Sequence, residues 1–466
     1  MSSRSWCRRF VLAGFTLILT AEAAATLLAA EPAAVRRPNV IFLLVDDLRW
    51  DALGCTGNKV VHSPNIDALA ADGVRFTNMF CTTSICATSR ATFLTGQWAR
   101  RHGIHSFGRP LSDKQFAETF PATVRKIGYR TAFVGKWGLG KMPKHEYDYF
   151  DGFTGQGRYF ERSDKDLKNH MPARMETKTL KFLESCDPDR PFCLQVSFKA
   201  THCQDGDPWP FQPDQRYNKL YNDVTIVPAR TATEEHFRRL PGFLQTSESR
   251  VRWKIRFANP KMFQKSVKDY YRLVSGVDRV VGSIRALLRR KGLADNTVII
   301  FTGDHGFFLG EHGLAGKWFM HEESIRIPLV IYDPRLPESQ RGKTVDRIVL
   351  STDIAPTIVE LAGRRAPDAM QGASLRPLLA GEAVKSWRRE FFYEHLFRHR
   401  RIPQTEGVRT DKWKYVRYVD QRPVYEELFD VRSDPGDERN LAGDRKHATT
   451  LADMRARWRR LREAMK

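Results

Sequence analysis

Residues 39–45 read Asn-Val-Ile-Phe-Leu-Leu-Val, a near-continuous apolar run closed by two carboxylates, Asp46 and Asp47. A strand with one wet face alternates apolar and polar residues, so a run without alternation is covered on both faces, as in parallel α/β sheets. Residues 131–134, 192–198, 298–301 and 328–332 predict further strands. Helical periodicity lies between them, at 64–72, at 121–127 before Gly128, and over about 265–290. In that longest stretch Tyr270, Val274, Val277, Val281, Ile284 and Leu288 form the stripe to be buried, and Gly292 follows its end. Strands alternating with helices predict a large, mostly parallel sheet flanked by helices.

At 466 residues the chain exceeds one typical domain. The pattern changes near residue 380. Residues 391–394, 412–418 and 428–431 read as short antiparallel strands, and Leu451, Met454, Trp458, Leu461 and Met465 mark one face of a terminal helix. The expected organisation is an α/β domain over 37–380 and a small C-terminal α+β subdomain over 381–466. Residues 201–260 are Pro-rich and irregular, which predicts a functional insertion.

Residues 1–30 read as a signal peptide: Arg4, Arg8 and Arg9 precede an apolar stretch, and small residues follow through Ala30. Cleavage after Ala23 and cleavage near Ala30 both fit, and Arg8-Arg9 leaves a twin-arginine route open. Glu22 interrupts the apolar run, so export to a periplasm or the cell exterior is expected, without stable membrane insertion. Seven cysteines, one of them Cys7, form neither a disulfide framework nor a zinc spacing. Net charge is +22, and +20 without residues 1–30, which hold three arginines and one glutamate. Such a field attracts polyanions. The basic residues lack the aromatic interleaving of a nucleic-acid module, so no nucleic-acid partner is expected and a sulfated polysaccharide is the better match for an exported chain.

Asp46 and Asp47 fall at the carboxyl end of the first strand, where open α/β sheets place ligands. Adjacent carboxylates repel unless a cation holds them. Gly303-Asp304-His305-Gly306 closes a second strand in the same way. Three carboxylates with an imidazole suit one hard divalent ion, calcium at an oxygen-rich site. In the run Cys86-Ala87-Thr88-Ser89-Arg90, a thiol stands beside a hydroxyl and a guanidinium at a helix start. Unpaired N–H groups there favour anions, and the arginine fork suits a tetrahedral oxyanion. A buried structural cysteine beside a solvated arginine is the competing reading, and the two strand-end clusters count against it.

With its continuation to Leu94-Thr95-Gly96, this run resembles the signature of the type I sulfatases of the alkaline phosphatase superfamily, Cys-x-Pro-Ser-Arg followed by Leu-Thr-Gly. The resemblance implies that a formylglycine-generating enzyme oxidises Cys86 to formylglycine, whose hydrate is the nucleophile. It implies that Asp46, Asp47, Asp304 and His305, with residue 86, hold calcium. Lys136, in Gly135-Lys136-Trp137-Gly138, matches the family lysine that touches nucleophile and sulfate; His202 and Lys317 match two further sulfate contacts. Arg90 joins them in neutralising the sulfate oxygens. Glu427-Leu428-Phe429-Asp430 and the turn from Asp434 to Leu441 look like the family's C-terminal strand and turn, so the likeness spans residues 37–441. The implied fold is the alkaline-phosphatase-like sulfatase fold, and the implied activity is hydrolysis of a sulfate ester on a sulfated glycan. Two positions depart from the pattern. Thr88 replaces the signature proline, and Gly138 replaces a histidine that helps cycle the formylglycine, leaving His102, His105, His312 and His321 as candidates for its role. Two alternatives stay open: phosphoester or phosphonate hydrolysis at the same metal, and non-catalytic binding of sulfated polysaccharide.

Overall fold

The apolar run forms the strand Asn39–Val45, every residue buried, near the middle of an eight-stranded sheet in the computed structural model. The sheet order is Lys343–Leu350, Val74–Phe80, Arg326–Tyr332, Thr297–Gly303, Asn39–Val45, Phe192–Ser197, Arg130–Lys136, Tyr149–Phe153. Neighbours are parallel except around Arg326–Tyr332, which runs antiparallel to the strands on both sides. The structure describes residues 36–164 and 166–466, and residues 37–466 form one compact unit. The expected signal segment 1–30 lies outside the described residues.

The lack of alternation in the first strand has the predicted cause. Val40, Phe42 and Leu44 enter one apolar cluster, and Ile41, Leu43 and Val45 enter another. Successive side chains point to opposite faces, so both faces are covered. Each such side chain, fully buried, contributes about 1.5–3 kcal/mol. The second cluster lies under the long helix Pro260–Arg290, whose expected stripe from Tyr270 to Leu288 is buried throughout. This helix starts five residues before the expected position because the Asn259 side chain accepts a hydrogen bond from the Met262 N–H and Pro260 occupies the first turn.

A four-stranded antiparallel sheet, Glu390–His395, Thr405–Thr410, Trp413–Tyr418 and Tyr425–Asp430, follows with the helix Ala448–Ala464. Its apolar residues, Phe391 and Tyr415 among them, share the first cluster with the large sheet. Thr405–Thr410 has no apolar pattern, yet all six residues are buried. Ion pairs of Glu406 with Arg100 at 3.1 Å and of Arg409 with Glu322 at 3.0 Å hold its polar side chains. Residues 201–260 are less irregular than expected. They contain the helices Glu234–Arg239, Gly242–Gln245 and Glu248–Arg256, the first and third capped by the hydroxyls of Thr233 and Ser247.

Candidate active site

Because Val45 pairs with Gly303 in register, the two strands end together and deliver Asp46-Asp47 and Asp304-His305 side by side. The Asp304 N–H donates to the Val45 carbonyl at 2.9 Å, and the Asp47 N–H donates to Asp304 Oδ1 at 3.1 Å. Asp47 turns sharply at φ 58°, its carbonyl held by the Tyr270 hydroxyl at 2.8 Å. Cys86 is the first residue of the helix Cys86–Thr95, after an extended Ile85 that supplies no side-chain cap. Its thiol donates to Asp46 Oδ1 at 3.3 Å and lies 3.3 Å from His305 Nε2 and 3.4 Å from Lys317 Nζ.

Three basic groups answer the three carboxylates. Lys136 Nζ bonds Asp46 Oδ2 and donates to Gln156 Oε1 at 2.6 Å. Lys317 Nζ donates to Asp47 Oδ1 at 2.6 Å. Arg90 Nη2 bridges Asp304 Oδ2 at 3.0 Å and Asp46 Oδ2 at 3.3 Å, while its Nη1 donates to the Lys136 carbonyl at 2.9 Å and to Ser197 Oγ at 2.7 Å. Arg90 is thereby fixed behind the carboxylates. His202 approaches Asp47 Oδ2 through Nε2 at 3.7 Å, and its Nδ1 lies 2.6 Å from the Cys203 carbonyl. A carbonyl only accepts, so Nδ1 carries the proton and Nε2 presents a lone pair.

These groups are almost wholly withdrawn from solvent, and burial dominates their titration. Burial pushes the Cys86 thiol up to about 12, with Asp46 reinforcing it. Burial also raises Asp47 against the pull of Lys317, and it holds His202 well below the usual imidazole range, helped by Lys317. Asp46 goes the other way: burial opposes ionisation, but Lys136, with Arg90 and Lys317, holds it well below the usual carboxylate range.

The donor set fits a hard cation. Ligand atoms of Asp46, Cys86, Asp304 and His305 lie within 4.8 Å of one another, as do those of Asp46, Asp47 and His202. Asp47 Oδ2 is buried without a hydrogen-bond partner, the orphaned oxygen that such an ion would satisfy.

The structure thus brings together every residue expected at the site. It does not bring the four candidate histidines there. His102 is fixed locally, with Thr92 Oγ1 3.1 Å from Nε2 and the Ile104 N–H donating to Nδ1. His312 and His321 pack on one another at 5.2 Å between ring centroids, and His105 lies beside Arg109. None of the four forms a hydrogen bond or ion pair with Cys86 or the three carboxylates. Gly138 sits at φ +78°, and a Cβ there would lie 2.9 Å from Arg90 Cδ. Arg90 has taken the space that a side chain at 138 would occupy.

Three contributors were missed. Gln156 and Ser197 bond Lys136 and Arg90 through lone polar side chains that carry no spacing signal. The third is His395, at the end of Glu390–His395, fully buried with neither ring nitrogen hydrogen-bonded to another group. Burial pushes it down to about 3, opposed by its own backbone carbonyl and reinforced by the nearby His305.

The sulfatase family model matches residues 38–364, and the model described as N-sulphoglucosamine sulphohydrolase, C-terminal, matches residues 310–464. The N-acetylglucosamine-6-O-sulfatase of Bacteroides thetaiotaomicron is 28% identical over 89% of this chain and 84% of its own length. A solved structure described as a complex with its substrate D-glucosamine-2-N,6-O-disulfate superposes with a TM-score of 0.79 at 25% identity, covering 92% of this chain and 98% of the other. The phosphonate monoester hydrolase of Silicibacter pomeroyi superposes equally well, TM-score 0.79, at 24% identity, over 92% and 96% of the two chains; that likeness shows the fold. With the two models spanning nearly the whole described chain, the protein belongs to the sulfatase family of sulfuric ester hydrolases.

Proposed function

We propose that this sulfatase is exported and hydrolyses a sulfate ester on a sulfated glycan, using calcium and a formylglycine made from Cys86. The observation that carries the reading is the placement of Cys86 Sγ, 3.3–3.4 Å from Asp46, His305 and Lys317 at a helix start. A thiolate that attacked sulfur would leave a thiosulfate-like ester with no second hydroxyl to release it. Formylglycine at residue 86 would supply, as its hydrate, one hydroxyl to attack sulfur and a second for the release of sulfate. Asp46, Asp47, Asp304 and His305, with residue 86, would hold the calcium, which would supply Lewis-acid stabilisation of sulfate oxygens.

The remaining residues bind and orient. Three basic groups already balance three carboxylates, so a divalent ion leaves the centre cationic and suited to a sulfate monoester. Lys136, Lys317 and Arg90 neutralise the sulfate oxygens, and Arg90 also holds Asp46 and Asp304 in place. His202, with its lone pair at Nε2 beside Asp47, would take up the proton lost by the attacking hydroxyl and return it to the departing alkoxide. The glycan class is supported by the relative named for N-acetylglucosamine 6-O-sulfate and by the neighbouring complex with a disulfated glucosamine. The charge of +20 without residues 1–30 agrees with an anionic polymer. Export is supported by the signal-like residues 1–30, and no described helix is long and apolar enough to cross a membrane.

The test is a panel of sulfate, phosphate and phosphonate esters of 4-nitrophenol alongside sulfated monosaccharides. The account expects kcat/KM to be highest for sulfate esters and sulfated sugars. Preference for the phosphonate ester would assign the site to the phosphonate-cleaving branch of the superfamily, and no turnover of any ester would leave a binding protein.

A further inference from the structure

His395 has no work inside the chain. It is fully buried, yet neither ring nitrogen has a hydrogen-bond partner in another group. Buried polar groups are nearly always paired, and one left bare destabilises the fold, so an unpaired imidazole calls for a ligand. Its position says which ligand. The Glu394 N–H donates to the Thr82 carbonyl at 3.1 Å, and Thr83 Oγ1 donates to the Glu394 carbonyl at 2.6 Å, which pins the strand against the segment leading into Cys86. On the other side the Tyr393 hydroxyl donates to the Trp318 carbonyl at 3.0 Å, next to Lys317. His395 therefore lies between the approach to the nucleophile and the approach to Lys317, within electrostatic range of His305.

Outward from His395, Phe397 follows at 6.5 Å between centroids, and Phe107 packs edge-on against Phe397 at 5.5 Å. Phe107 is 47% exposed, so this aromatic track reaches the surface. A neutral imidazole offers one donor and one acceptor. A sulfate or carboxylate could satisfy only the donor, whereas hydroxyls satisfy both nitrogens. An imidazolium is disfavoured here, because no carboxylate is paired with the ring and a buried unpaired charge is costly.

We propose that His395 is a specificity-determining residue that hydrogen-bonds hydroxyl groups of the sugar bearing the sulfate, on the leaving-group side of the scissile bond. The inference rests on the sulfated-glycan reading and names how the small sheet reads the sugar. It also sets this sulfatase apart from one that recognises only the sulfate and the metal.

His395→Phe keeps the ring volume and removes both nitrogens; His395→Asn restores a donor and an acceptor. Since no other residue of the chain bonds either nitrogen, His395→Phe should melt at or above the wild-type temperature. Its kcat/KM for N-acetylglucosamine 6-sulfate should fall about 10- to 100-fold. The loss on 4-nitrophenyl sulfate, which has no sugar hydroxyls, should be smaller, so the ratio of the two values shifts about tenfold or more. His395→Asn should recover part of that ratio. A ratio that His395→Phe leaves within twofold of wild type overturns the proposal, whichever way the separate rates move. Calorimetric titration with N-acetylglucosamine 6-sulfate decides the matter independently of turnover: affinity should weaken about tenfold in His395→Phe, and equal affinity overturns the proposal. If wild type cleaves no sulfate ester, the functional reading fails while this affinity comparison still judges His395.

Discussion

Gly138→Ala tests whether the missing family histidine records lost chemistry or a different use of the same space. At φ +78° a non-glycine residue costs about 1–2 kcal/mol. The new Cβ would stand 2.9 Å from Arg90 Cδ. Arg90 cannot yield cheaply, because it donates to the Lys136 carbonyl, Ser197 Oγ and Asp304 Oδ2 at 2.7–3.0 Å. Overpacking of this kind adds about 1–3 kcal/mol, for a total of about 2–5 kcal/mol. With an unfolding entropy of about 2 cal/mol/K per residue over residues 37–466, that is a fall of roughly 2–6 °C in Tm. Displacing Arg90 also moves Asp304 and Asp46, and misplacement near 1 Å costs up to about 100-fold in rate, so kcat should drop at least tenfold. Gly138→His should be no better than alanine on either measure. Calorimetric melting with turnover of 4-nitrophenyl sulfate reads both effects. An alanine variant with unchanged Tm and kcat, or a histidine variant more active than wild type, would refute the reasoning.

Metal removal and acid provide further tests. Verified chelation of the holoenzyme should abolish turnover, with recovery on adding calcium, and Asp304→Ala should stay inactive at any calcium level; full turnover after metal loss would remove the metal assignment. Buried Glu322 pairs with Arg409 at 3.0 Å and Lys414 at 3.6 Å, and against the penalty of burial these cations hold it down to about 2, below the 4.5 of a free glutamate. A depressed carboxyl stabilises the fold above its unfolded pKa and loses that contribution as pH falls from 4.5 toward 2. Glu322→Gln should therefore cost about 3 kcal/mol near neutrality. Its melting curve should converge on that of wild type through this pH window, and a constant gap would refute the pairing.

What the sequence disclosed follows from which forces leave a local mark. Asn39–Val45 was legible because burial on two faces removes alternation, and Asp46, Asp47, Asp304 and His305 were legible because strand ends are where such residues collect. The antiparallel direction of Arg326–Tyr332 was not, since an apolar strand has the same composition in either direction. Thr405–Thr410 escaped because partners distant in sequence, Arg100 and Glu322, compensate its buried charges. His395 escaped for the opposite reason: its meaning lies in having no partner, which only the folded surroundings reveal. The bonds of Arg90 to Asp46, Asp304 and Ser197 were not legible either, because they join residues far apart in sequence.

Oxidation of Cys86 despite Thr88 is the central claim, and mass spectrometry of the tryptic peptide covering residues 76–90 tests it directly. Thr88 is a helical residue of Cys86–Thr95 in the folded chain, so a modifying enzyme that binds this run extended would act before it folds. Threonine reaches the extended backbone that proline enforces but has more freedom to lose. The account predicts an aldehyde at residue 86 in active protein from its native source, partial conversion in a foreign host, and a higher converted fraction with Thr88→Pro. A fully active preparation whose residue 86 is an unmodified thiol would contradict it.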